Sequence, residues 1–537
     1  MGWLLLALWA LFYLALGPWT LVLTAVLLAV PRVRDRVPRP TVTRKGVAIG
    51  AGALVAASAL VWAVPDGRLP IPHAGGLLVA PAYDGRQVSA TPIEAEQPPA
   101  HPWLARMGSD AVNNDAWSSG AQLGPGPLGD RPQTDSAWYG LEKCGRMAFD
   151  SAGRIVALCH DHRGAVLRVI DPDSLRPLSS KRLPDRRETE ASPWQDLCHG
   201  SQFYLDNGDR AVVTTTERRI QAVGTADAEG RPDLTIEESW SLESLVPESD
   251  CLVTVKPDWS GRIWWASRDG RVGLVDPVSG AVHGLELGEK VTNSIAVDEN
   301  GGVFVVSDTA LYRFTADASG APGITWRTEY DRGVERKDGQ LVQGSGTSPT
   351  LVDQGLVAIA DNAEPRLHVV FLDRSSGAEV CRSAVFDGGE SATETSLTSV
   401  GSGVVVENNH GYSTPTSTLL GFSSSPGLAR VDHVDGECQV AWTNDEVVPS
   451  AVPTVSWQTG LIYAWTKRPS LWGVSGWYLT AIDAHTGQTA FSVRGGTGPL
   501  FNNHYAAVTL GPEGAAYVGT IGGLVKVRDV VRKPKDD

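Results

Sequence analysis

The sequence lacks the short motifs that identify many catalytic and metal-binding proteins. It contains no Gly-rich phosphate loop, no G-x-S-x-G nucleophile elbow and no H-E-x-x-H helix in a fitting context. Its six cysteines form no C-x-x-C pair, the spacing that a zinc ribbon needs. Two acidic stretches, 206–209 and 298–301, begin like calcium loops but have no glutamate at the closing position. No single motif therefore states the function.

Positive charge is scarce outside the N-terminal region. The chain has 537 residues and a formal net charge of −15. Residues 1–64 carry six basic residues and one acidic residue, so the net charge of the rest of the chain is more negative than that of the whole chain. An acidic body repels phosphate backbones, which argues against nucleic acid as a partner.

No long helical periodicity follows Val64, and one β-pattern repeats eight times instead. Each repeat is a short apolar strand, a tight turn with a glycine near its end, and a second apolar strand. The turn glycines, 40 to 57 residues apart, are Gly153, Gly208, Gly261, Gly301, Gly355, Gly403, Gly460 and Gly514. Such a period is typical of β-propellers, whose blades bury their faces only against each other. We predict an all-β, eight-bladed propeller over residues 142–531, with seven blades as the alternative because one interval is short.

An outer hairpin recurs in seven repeats and is missing from the eighth. It has an aspartate shortly before a glycine, with Ser174 replacing the glycine in the first; the aspartates are Asp171, Asp227, Asp276, Asp317, Asp373, Asp435 and Asp483. The eighth repeat reaches Asp529 and ends in a charged tail, 532–537. Because a ring closes only when its last blade is complete, we expect a segment ahead of Cys144 to supply the outer strand. The candidates are residues 138–141, 75–80 and 113–118.

Two apolar runs open the chain. Residues 3–30 carry no charge, and as one helix they would reach about 42 Å, enough to cross a bilayer with a kink at Gly17 and Pro18. Residues 47–64 form a second run near the lower limit for spanning. The basic loop 31–46 between them is expected on the cytoplasmic side. We therefore predict two transmembrane helices in residues 1–64, with the N-terminus and the propeller on the extracytoplasmic side of the cell membrane.

Residues 65–141 are rich in proline, which interrupts regular ladders and stiffens a chain. This composition predicts an extracytoplasmic linker or a wrapping arm rather than a folded domain.

The cysteines follow the register of the repeats. Cys144, Cys198 and Cys251 precede their turn glycines by 9 or 10 residues, and Cys159 faces Cys144 across one hairpin. Six cysteines allow 15 pairings. The register favours the pairs Cys144–Cys159 and Cys198–Cys251, which leaves Cys381 with Cys438 in the outer strands of successive blades. Such disulfides would persist in an oxidising compartment.

One repeat resembles a known family. Residues 481–488, Ala-Ile-Asp-Ala-His-Thr-Gly-Gln, followed by Phe491, look like the repeat of the quinoprotein-type (PQQ-like) β-propeller superfamily, and residues 276–280 and 373–377 are weaker copies. The resemblance implies a propeller, usually of eight blades and often without a bound quinone. The adjacent cysteine pair of many quinone dehydrogenases is absent, so the cofactor stays unassigned, with pyrroloquinoline quinone (PQQ) as one candidate.

Polar residues gather in the loops at one end of the repeats. The candidate ligand-binding residues are Asp361, Asn362, Glu394, Glu407, Asn408, Asn409, His410, Asn502, Asn503, His504, His160 and His162. Histidines and carboxylates that converge on a channel mouth could hold a metal or act as acid and base. The alternative is that they are ordinary solvated loop residues.

The leading functional hypothesis is a membrane-anchored propeller that binds a small ligand or an envelope protein at its channel mouth. The competing hypothesis is an enzyme. It would be either a quinoprotein-like oxidoreductase or a hydrolase with a metal held by His410, His504, Glu407 and Asp361.

Overall fold

The chain folds into eight blades of a propeller, each with four antiparallel strands, and two further short strands extend the sheet of one blade to six. The computed structural model describes residues 2–36, 48, 52, 63–105, 115–186, 194–198, 202–470 and 472–530. Adjacent blades contact each other around the ring, and the last blade contacts the first strand of blade 1. The prediction of eight blades is confirmed, and seven is wrong.

Strands are numbered along the chain. Before the first blade lie β1 (Tyr83–Gly85), β2 (Ala121–Gln122) and β3 (Pro132–Trp138). Blade 1 is β4 (Lys143–Phe149), β5 (Ile155–Asp161), β6 (Gly164–Ile170) and β7 (Pro177–Asp185). Blade 2 is β8 (Phe203–Leu205), β9 (Ala211–Thr214), β10 (Arg219–Val223) and β13 (Ile236–Ser241), with a small hairpin, β11 (Asp227–Ala228) and β12 (Arg231–Pro232), inserted. Blade 3 is β14 (Leu252–Pro257), β15 (Ile263–Ser267), β16 (Arg271–Val275) and β17 (Val282–Glu286). Blade 4 is β18 (Ala296–Val297), β19 (Val303–Val306), β20 (Ala310–Ala316) and β21 (Pro322–Glu329).

The remaining blades follow the same order. Blade 5 is β22 (Thr350–Val352), β23 (Leu356–Ala360), β24 (His368–Asp373) and β25 (Glu379–Ala384). Blade 6 is β26 (Thr398–Val400), β27 (Gly403–Glu407), β28 (Leu428–Val434) and β29 (Glu437–Asn444). Blade 7 is β30 (Thr454–Ser456), β31 (Leu461–Arg468), β32 (Gly476–Asp483) and β33 (Thr489–Thr497). Blade 8 contains β34 (Val508–Leu510), β35 (Ala516–Thr520) and β36 (Gly523–Asp529). Short 3₁₀ helices cover Pro415–Gly421 and Pro499–Phe501.

The two faces of the ring differ in their connections. The turn face carries the eight glycine turns between first and second strands together with the aspartate turns between third and fourth strands. Gly153 and Gly261 have φ of 75° and 85° there, a conformation that glycine adopts without strain. The loop face, on the opposite side, carries the connections between second and third strands and the connections between blades. The first strands of the blades surround a central channel that joins the two faces.

The ring closes through β3, which pairs with β36 as the outer strand of blade 8. The antiparallel register runs from Pro132 opposite Asp529 to Trp138 opposite Gly523. The prediction that a segment ahead of Cys144 completes this blade is confirmed, but of the proposed segments only Trp138 takes part. Residues 75–80 contact the first helix instead, and residues 113 and 114 lie outside the described residues.

The N-terminal apolar run forms two helices rather than one kinked helix. They are α1 (Gly2–Leu16) and α2 (Trp19–Ala29), and a single turn, α3 (Pro31–Arg34), follows. Gly17 has φ of 85° between the two helices, and the Trp9 ring N–H donates to the Thr24 hydroxyl at 2.7 Å, so α1 and α2 lie side by side. Among the described residues no helix is both long and apolar enough to cross a bilayer. Most of the predicted second span, 47–64, lies outside the described residues.

The Pro-rich segment lies along the propeller. Strand β1 adds to the outer edge of blade 7 by pairing with β33, and the buried Arg168 guanidinium of blade 1 pairs with Asp66 at 2.7 Å. We call residues 65–138 the arm.

Three disulfides join neighbouring strands or blades, and their pairing is the one that the register favoured. Cys144–Cys159 links β4 to β5, Cys198–Cys251 links the approach to blade 2 with blade 3, and Cys381–Cys438 links the outer strands of blades 5 and 6.

The core consists of apolar layers between adjacent blades. Two tryptophans show how the blades contact each other. The ring N–H of Trp326 on β21 donates to the Arg374 carbonyl (2.9 Å), and that of Trp442 on β29 donates to the Ala484 carbonyl (3.0 Å). Each ring packs on the turn glycine of the next blade, where a Cβ on Gly377 or Gly487 would lie 2.5 Å from it.

Candidate functional site

The arm crosses the channel at the turn face. Between residues 116 and 122 its carbonyls accept backbone N–H groups from the first strands of blades 4, 5, 6 and 7 in turn. Strand β2 pairs in parallel with β30, and the Gln122 side chain accepts the Leu510 N–H of blade 8 at 2.8 Å. The turn-face mouth of the channel is therefore occupied by the chain itself.

A buried aspartate holds this crossing in place. The Asp115 carboxylate accepts the N–H groups of Trp117 (3.0 Å), Gly120 (3.0 Å) and Ser119, and the Ser119 hydroxyl (2.7 Å). The Lys256 ammonium of β14 donates to the Asp115 carbonyl (2.6 Å) and the Ser118 hydroxyl (2.8 Å). Burial raises the pKa of Asp115, and the Lys256 charge opposes that shift.

Three basic side chains line the channel, and we call them the channel cations: Lys143 and Arg146 on β4, and Lys256 on β14. The Lys143 ammonium donates to the His504 carbonyl at 2.7 Å. Burial, together with repulsion by Arg146, lowers the pKa of Lys143 to about 7 and that of Lys256 to about 8, although Asp115 partly offsets the shift at Lys256. Burial also lowers the pKa of Arg146 to about 10. Within the described part of the chain, neither lysine forms an ion pair with a carboxylate.

A cluster of aromatic and acidic side chains lies at the loop-face mouth. We call it the mouth cluster: Trp194, Glu394, Tyr412, His504 and Tyr505. The Tyr412 hydroxyl lies 2.9 Å from Nδ1 of His504, and Nε2 of His504 lies 2.8 Å from the Trp194 carbonyl. Both ring nitrogens of His504 are thus occupied. His504 and Tyr505 have φ of 39° and 65°, a strained backbone for side chains of this size.

Two groups of this cluster titrate away from their usual range. The Glu394 carboxylate accepts the Leu341 N–H at 3.0 Å, and burial raises its pKa to about 8. The buried Tyr505 hydroxyl has no hydrogen-bond partner among the described residues. Burial raises its pKa well above 10, and the neighbouring Glu394 and Tyr412 add to the shift. At neutral pH Glu394 is therefore largely uncharged and does not cancel the channel cations.

The two Asn-Asn-His triplets have a structural role in common. In each, the first asparagine accepts the histidine N–H through Oδ1, at 3.1 Å in 408–410 and 2.8 Å in 502–504. The second asparagine forms a hydrogen bond with the loop before blade 7. Asn409 donates to the Pro449 carbonyl (2.9 Å), and Asn503 donates to the Ser450 carbonyl (3.4 Å). The triplets bracket one loop from both sides.

The other predicted residues are dispersed. Asp361 pairs with Nδ1 of His368 at 2.9 Å, and Asn362 donates to the Arg332 carbonyl at 2.9 Å. Glu407 is fully buried, with neither carboxylate oxygen bonded to a described residue, and burial raises its pKa well above 4.5. His410 contacts the Ser425 hydroxyl at 3.3 Å.

The candidate residues His160 and His162 do not lie on the same strand. His160 lies in β5, whereas His162 is exposed in the turn after it.

The metal-hydrolase hypothesis lacks a ligand set. Among the described residues, the one group of three potential donors within reach of an ion is Glu142 with Cys144 and Cys159, and those two sulfurs form a disulfide. His410, His504, Glu407 and Asp361 each have separate environments.

A second concave region lies on the turn face between blades 4 and 5. It has a volume of about 480 Å³, and its lining contains five acids and two arginines. The Arg374 guanidinium stacks on Trp117 of the arm at 4.2 Å. This cavity is mainly acidic, the opposite of the channel.

Sequence reasoning missed the channel cations, Tyr505 and the crossing at 115–122. A basic residue within an otherwise apolar inner strand, such as Arg146 before Met147-Ala148-Phe149, is the signal that could have identified the channel cations.

The fold and the channel define an eight-bladed β-propeller whose first strands carry buried positive charge. No family model matches the chain. An uncharacterized protein of Archaeoglobus fulgidus is 30% identical over 317 residues, which cover 51% of this chain and 60% of the relative. The chain thus spans about three fifths of that relative's length.

Several solved structures show partial similarity to the chain. BamB from Moraxella catarrhalis has a TM-score of 0.37 at 14% identity and covers 58% of this chain and 93% of its own. A streptogramin B lyase scores 0.39 at 10% identity, over 74% of this chain and 97% of its own. The WD40 domain of coronin from Toxoplasma gondii scores 0.40 at 9% identity, over 77% and 90%.

Proposed function

We propose that the protein is an extracytoplasmic binding propeller, held at a membrane by its apolar N-terminal segment, that takes a small anionic ligand into its channel from the loop face. The observation that carries the proposal is that the two channel lysines lack an ion-pair partner among the described residues. Lys143 and Lys256 donate to carbonyl and hydroxyl oxygens, and no described carboxylate forms an ion pair with them. Since buried charges are normally paired, a bound anion would complete this arrangement.

The direction of entry follows from the arm. Because residues 116–122 occupy the turn-face mouth, a ligand would reach Lys143 and Arg146 past the mouth cluster. Lys143 and Arg146 keep intermediate solvent exposure inside the ring, which supports an aqueous path to them. A small ligand is favoured over a protein partner because the cations lie below the mouth.

Binding should depend on pH through Lys143. Its pKa is about 7, so the ammonium form that attracts an anion is lost as the pH rises through that value. Ligand affinity is expected to be higher at pH 6 than at pH 8.

Native mass spectrometry of the full chain, purified in detergent at pH 6, tests the proposal. We expect a small species bound to the wild type and lost from Lys143→Gln and Lys256→Gln. Lys290→Gln is the matched control, because Lys290 is exposed outside the channel. Equal retention of the species in all four proteins, or no species in any, would contradict the proposal.

The chemistry of the cysteines supports an extracytoplasmic location for the propeller. Three disulfides are characteristic of oxidising compartments, which favours an extracytoplasmic propeller. A C-terminal tag should therefore be cut by protease added to intact cells. Protection of the tag together with cleavage of the loop 31–46 would reverse the assignment.

We also infer a quinoprotein-type origin for the repeat, supported by the equivalent contacts of Trp326 with Gly377 and of Trp442 with Gly487. These contacts pack one blade against the next. The residues present do not fit a quinone site built on adjacent cysteines, because all six cysteines pair across different strands or blades. No redox step is derived for this protein.

A further inference from the structure

Four strongly exposed apolar side chains border the loop face at one edge of the propeller. Leu420 and Phe422 lie in the connection of blade 6, Trp472 in that of blade 7, and Leu78 in the arm. Their exposed fractions are 64%, 71%, 52% and 78%. We call these four residues the apolar rim.

The rim is continuous with the N-terminal helices. The Leu78 N–H donates to the Ala15 carbonyl of α1 at 3.0 Å. A Cβ on Gly421 would lie 3.2 Å from the Gly473 Cα, and a Cβ on Gly473 would lie 3.4 Å from the Trp19 ring of α2. The loops of blades 6 and 7 therefore touch each other and the turn between α1 and α2.

The loops that carry the rim contain no charge. No Asp, Glu, Lys or Arg occurs between Glu407 and Arg430, or between Arg468 and Asp483. The same connections in other blades are charged, with Asp161 and Arg163 in blade 1 and Arg268 and Asp269 in blade 3. In a chain with a net charge of −15, this marks one edge of the loop face as different from the rest.

The helices beside the rim also expose apolar side chains, including Leu11 (63%), Phe12 (55%) and Val26 (60%). A helix that is apolar on all sides needs an apolar environment, and contiguous apolar surface of this kind marks an interaction site. Tryptophan and phenylalanine suit the boundary between headgroups and acyl chains. The arginines at 32, 34 and 36 follow α2 directly and would attract anionic headgroups.

We propose that the apolar rim rests in the interfacial layer of a lipid bilayer, which tilts the propeller so that the loop face at blades 6 and 7 lies against the membrane. The inference rests on the membrane attachment in the proposed function and adds which part of the propeller touches lipid. The channel mouth then opens toward the membrane surface, while the turn face points away.

Site-specific fluorescence in vesicles tests this placement. Single cysteines are introduced in the full chain at Phe422, Trp472, Val278 and Glu217 and in α2 at Val22, and each is labelled with an environment-sensitive dye. Labelling is selective because all six native cysteines are in disulfides. The protein is reconstituted into phosphatidylcholine and phosphatidylglycerol vesicles with and without lipids that carry a shallow quencher.

The four propeller positions form a matched set. Val278 is 95% exposed and lies on the turn face, whereas Glu217 lies on the loop face of blade 2, across the ring from the rim. We expect the quencher to cause a large loss of emission at residues 422 and 472 and none at 278 or 217. Quenching at 22 reports attachment of the helices.

Each outcome decides the proposal. Quenching at 22, 422 and 472 but not at 278 or 217 supports it, and equal quenching at 217 overturns the placement at blades 6 and 7. Quenching at 22 alone overturns the rim contact and leaves the membrane attachment standing, whereas no quenching at 22 overturns both. An emission shift at 422 and 472 that depends on protein dilution rather than on lipid would assign the rim to a second copy of the chain and overturn the proposal.

Discussion

The two faces of the propeller are built from different kinds of interaction. On the turn face the contacts are local and repeated. The Asp258 carboxylate accepts the backbone N–H of Arg262 at 3.0 Å and the Arg262 Nε–H at 2.8 Å. The pairs Asp150–Arg154 and Asp206–Arg210 repeat this geometry. On the loop face the contacts join distant segments, such as Lys143 with the His504 carbonyl. The turn aspartates Asp150, Asp206 and Asp258 use both carboxylate oxygens. On the loop face, the Glu407 carboxylate and the Tyr505 hydroxyl have no partner in the described structure.

This contrast indicates where stability and function lie. Satisfied polar groups fix the geometry of the ring, and buried titratable groups without partners are more common at functional sites. The same chemical change, from acid to amide, should therefore have opposite effects on the two faces.

The largest effect is expected from Asp115→Asn, beneath the turn face. The amide keeps the size of the side chain but places a donor among the N–H groups of Trp117, Ser119 and Gly120. Leaving such donors unsatisfied should lower the free energy of unfolding by about 2–3 kcal/mol. Thermal unfolding of the full chain measures the loss.

Asp84→Asn is the control for the arm. Asp84 is exposed and pairs with Arg468 at 2.9 Å, a surface ion pair of the kind that contributes about 0–1 kcal/mol. Equal losses for the two variants would show that the crossing at Asp115 is not what holds the arm.

Glu407→Gln on the loop-face side should stabilise the protein. Burial raises the pKa of Glu407 above the value of 4.5 expected in the unfolded chain, so the native state must keep the proton. The resulting loss of stability is absent below pH 4.5 and grows as the pH rises above it. At pH 7 the variant should therefore be more stable than the wild type, because its amide carries no such proton.

Chemical denaturation at pH 4 and pH 7 measures this gain. The advantage of Glu407→Gln should disappear at pH 4, and Glu437→Gln, at an exposed position of β29, should show no such difference. A destabilised Glu407→Gln at pH 7 would mean that the carboxylate is paired in solution.

The smallest effect is expected from Asp258→Asn in a single turn. The amide oxygen can still accept the N–H groups of Ser260 and Arg262, but the NH2 group that replaces Oδ2 cannot accept from the Arg262 guanidinium or the Trp264 ring N–H. Thermal unfolding should show a loss of about 1–2 kcal/mol, at the usual value of about 1 kcal/mol or less for each of two hydrogen bonds. A loss as large as that of Asp115→Asn would remove the distinction between a local turn and a long-range crossing.

The features that the sequence predicted are mainly those of the turn face. Eight turn glycines gave the blade count because each turn is specified by neighbouring residues. The cysteine pairs followed because their register within the blades is also local. A closing strand was predicted ahead of Cys144, but the bounds of β3 were not. Its partner β36 lies almost 400 residues away, and pairing at that distance leaves no local pattern in the sequence.

The loop face was predicted less well for a physical reason. Asparagine and histidine in loops suit both ligand binding and turn formation, and only the fold shows that the triplets at 408–410 and 502–504 clamp one loop. Conversely, Lys143 and Lys256 look like surface residues in the sequence, and they lie inside the ring only because the first strands surround its axis. The apolar run at residues 3–30 predicted a single helix, but the backbone at Gly17 and Pro18 divides it in two.

Thiol labelling of two positions at the start of blade 6 tests most directly the claim that the channel is open at the loop face and closed at the turn face. Ser396, just before β26, keeps intermediate exposure at the loop-face side. Thr398, two residues on, is fully buried beside Gly120 of the arm and donates to the Pro453 carbonyl at 2.9 Å. In the full chain, Ser396→Cys should react with a small water-soluble maleimide and Thr398→Cys should not. Faster reaction at residue 398 than at 396 would contradict the account.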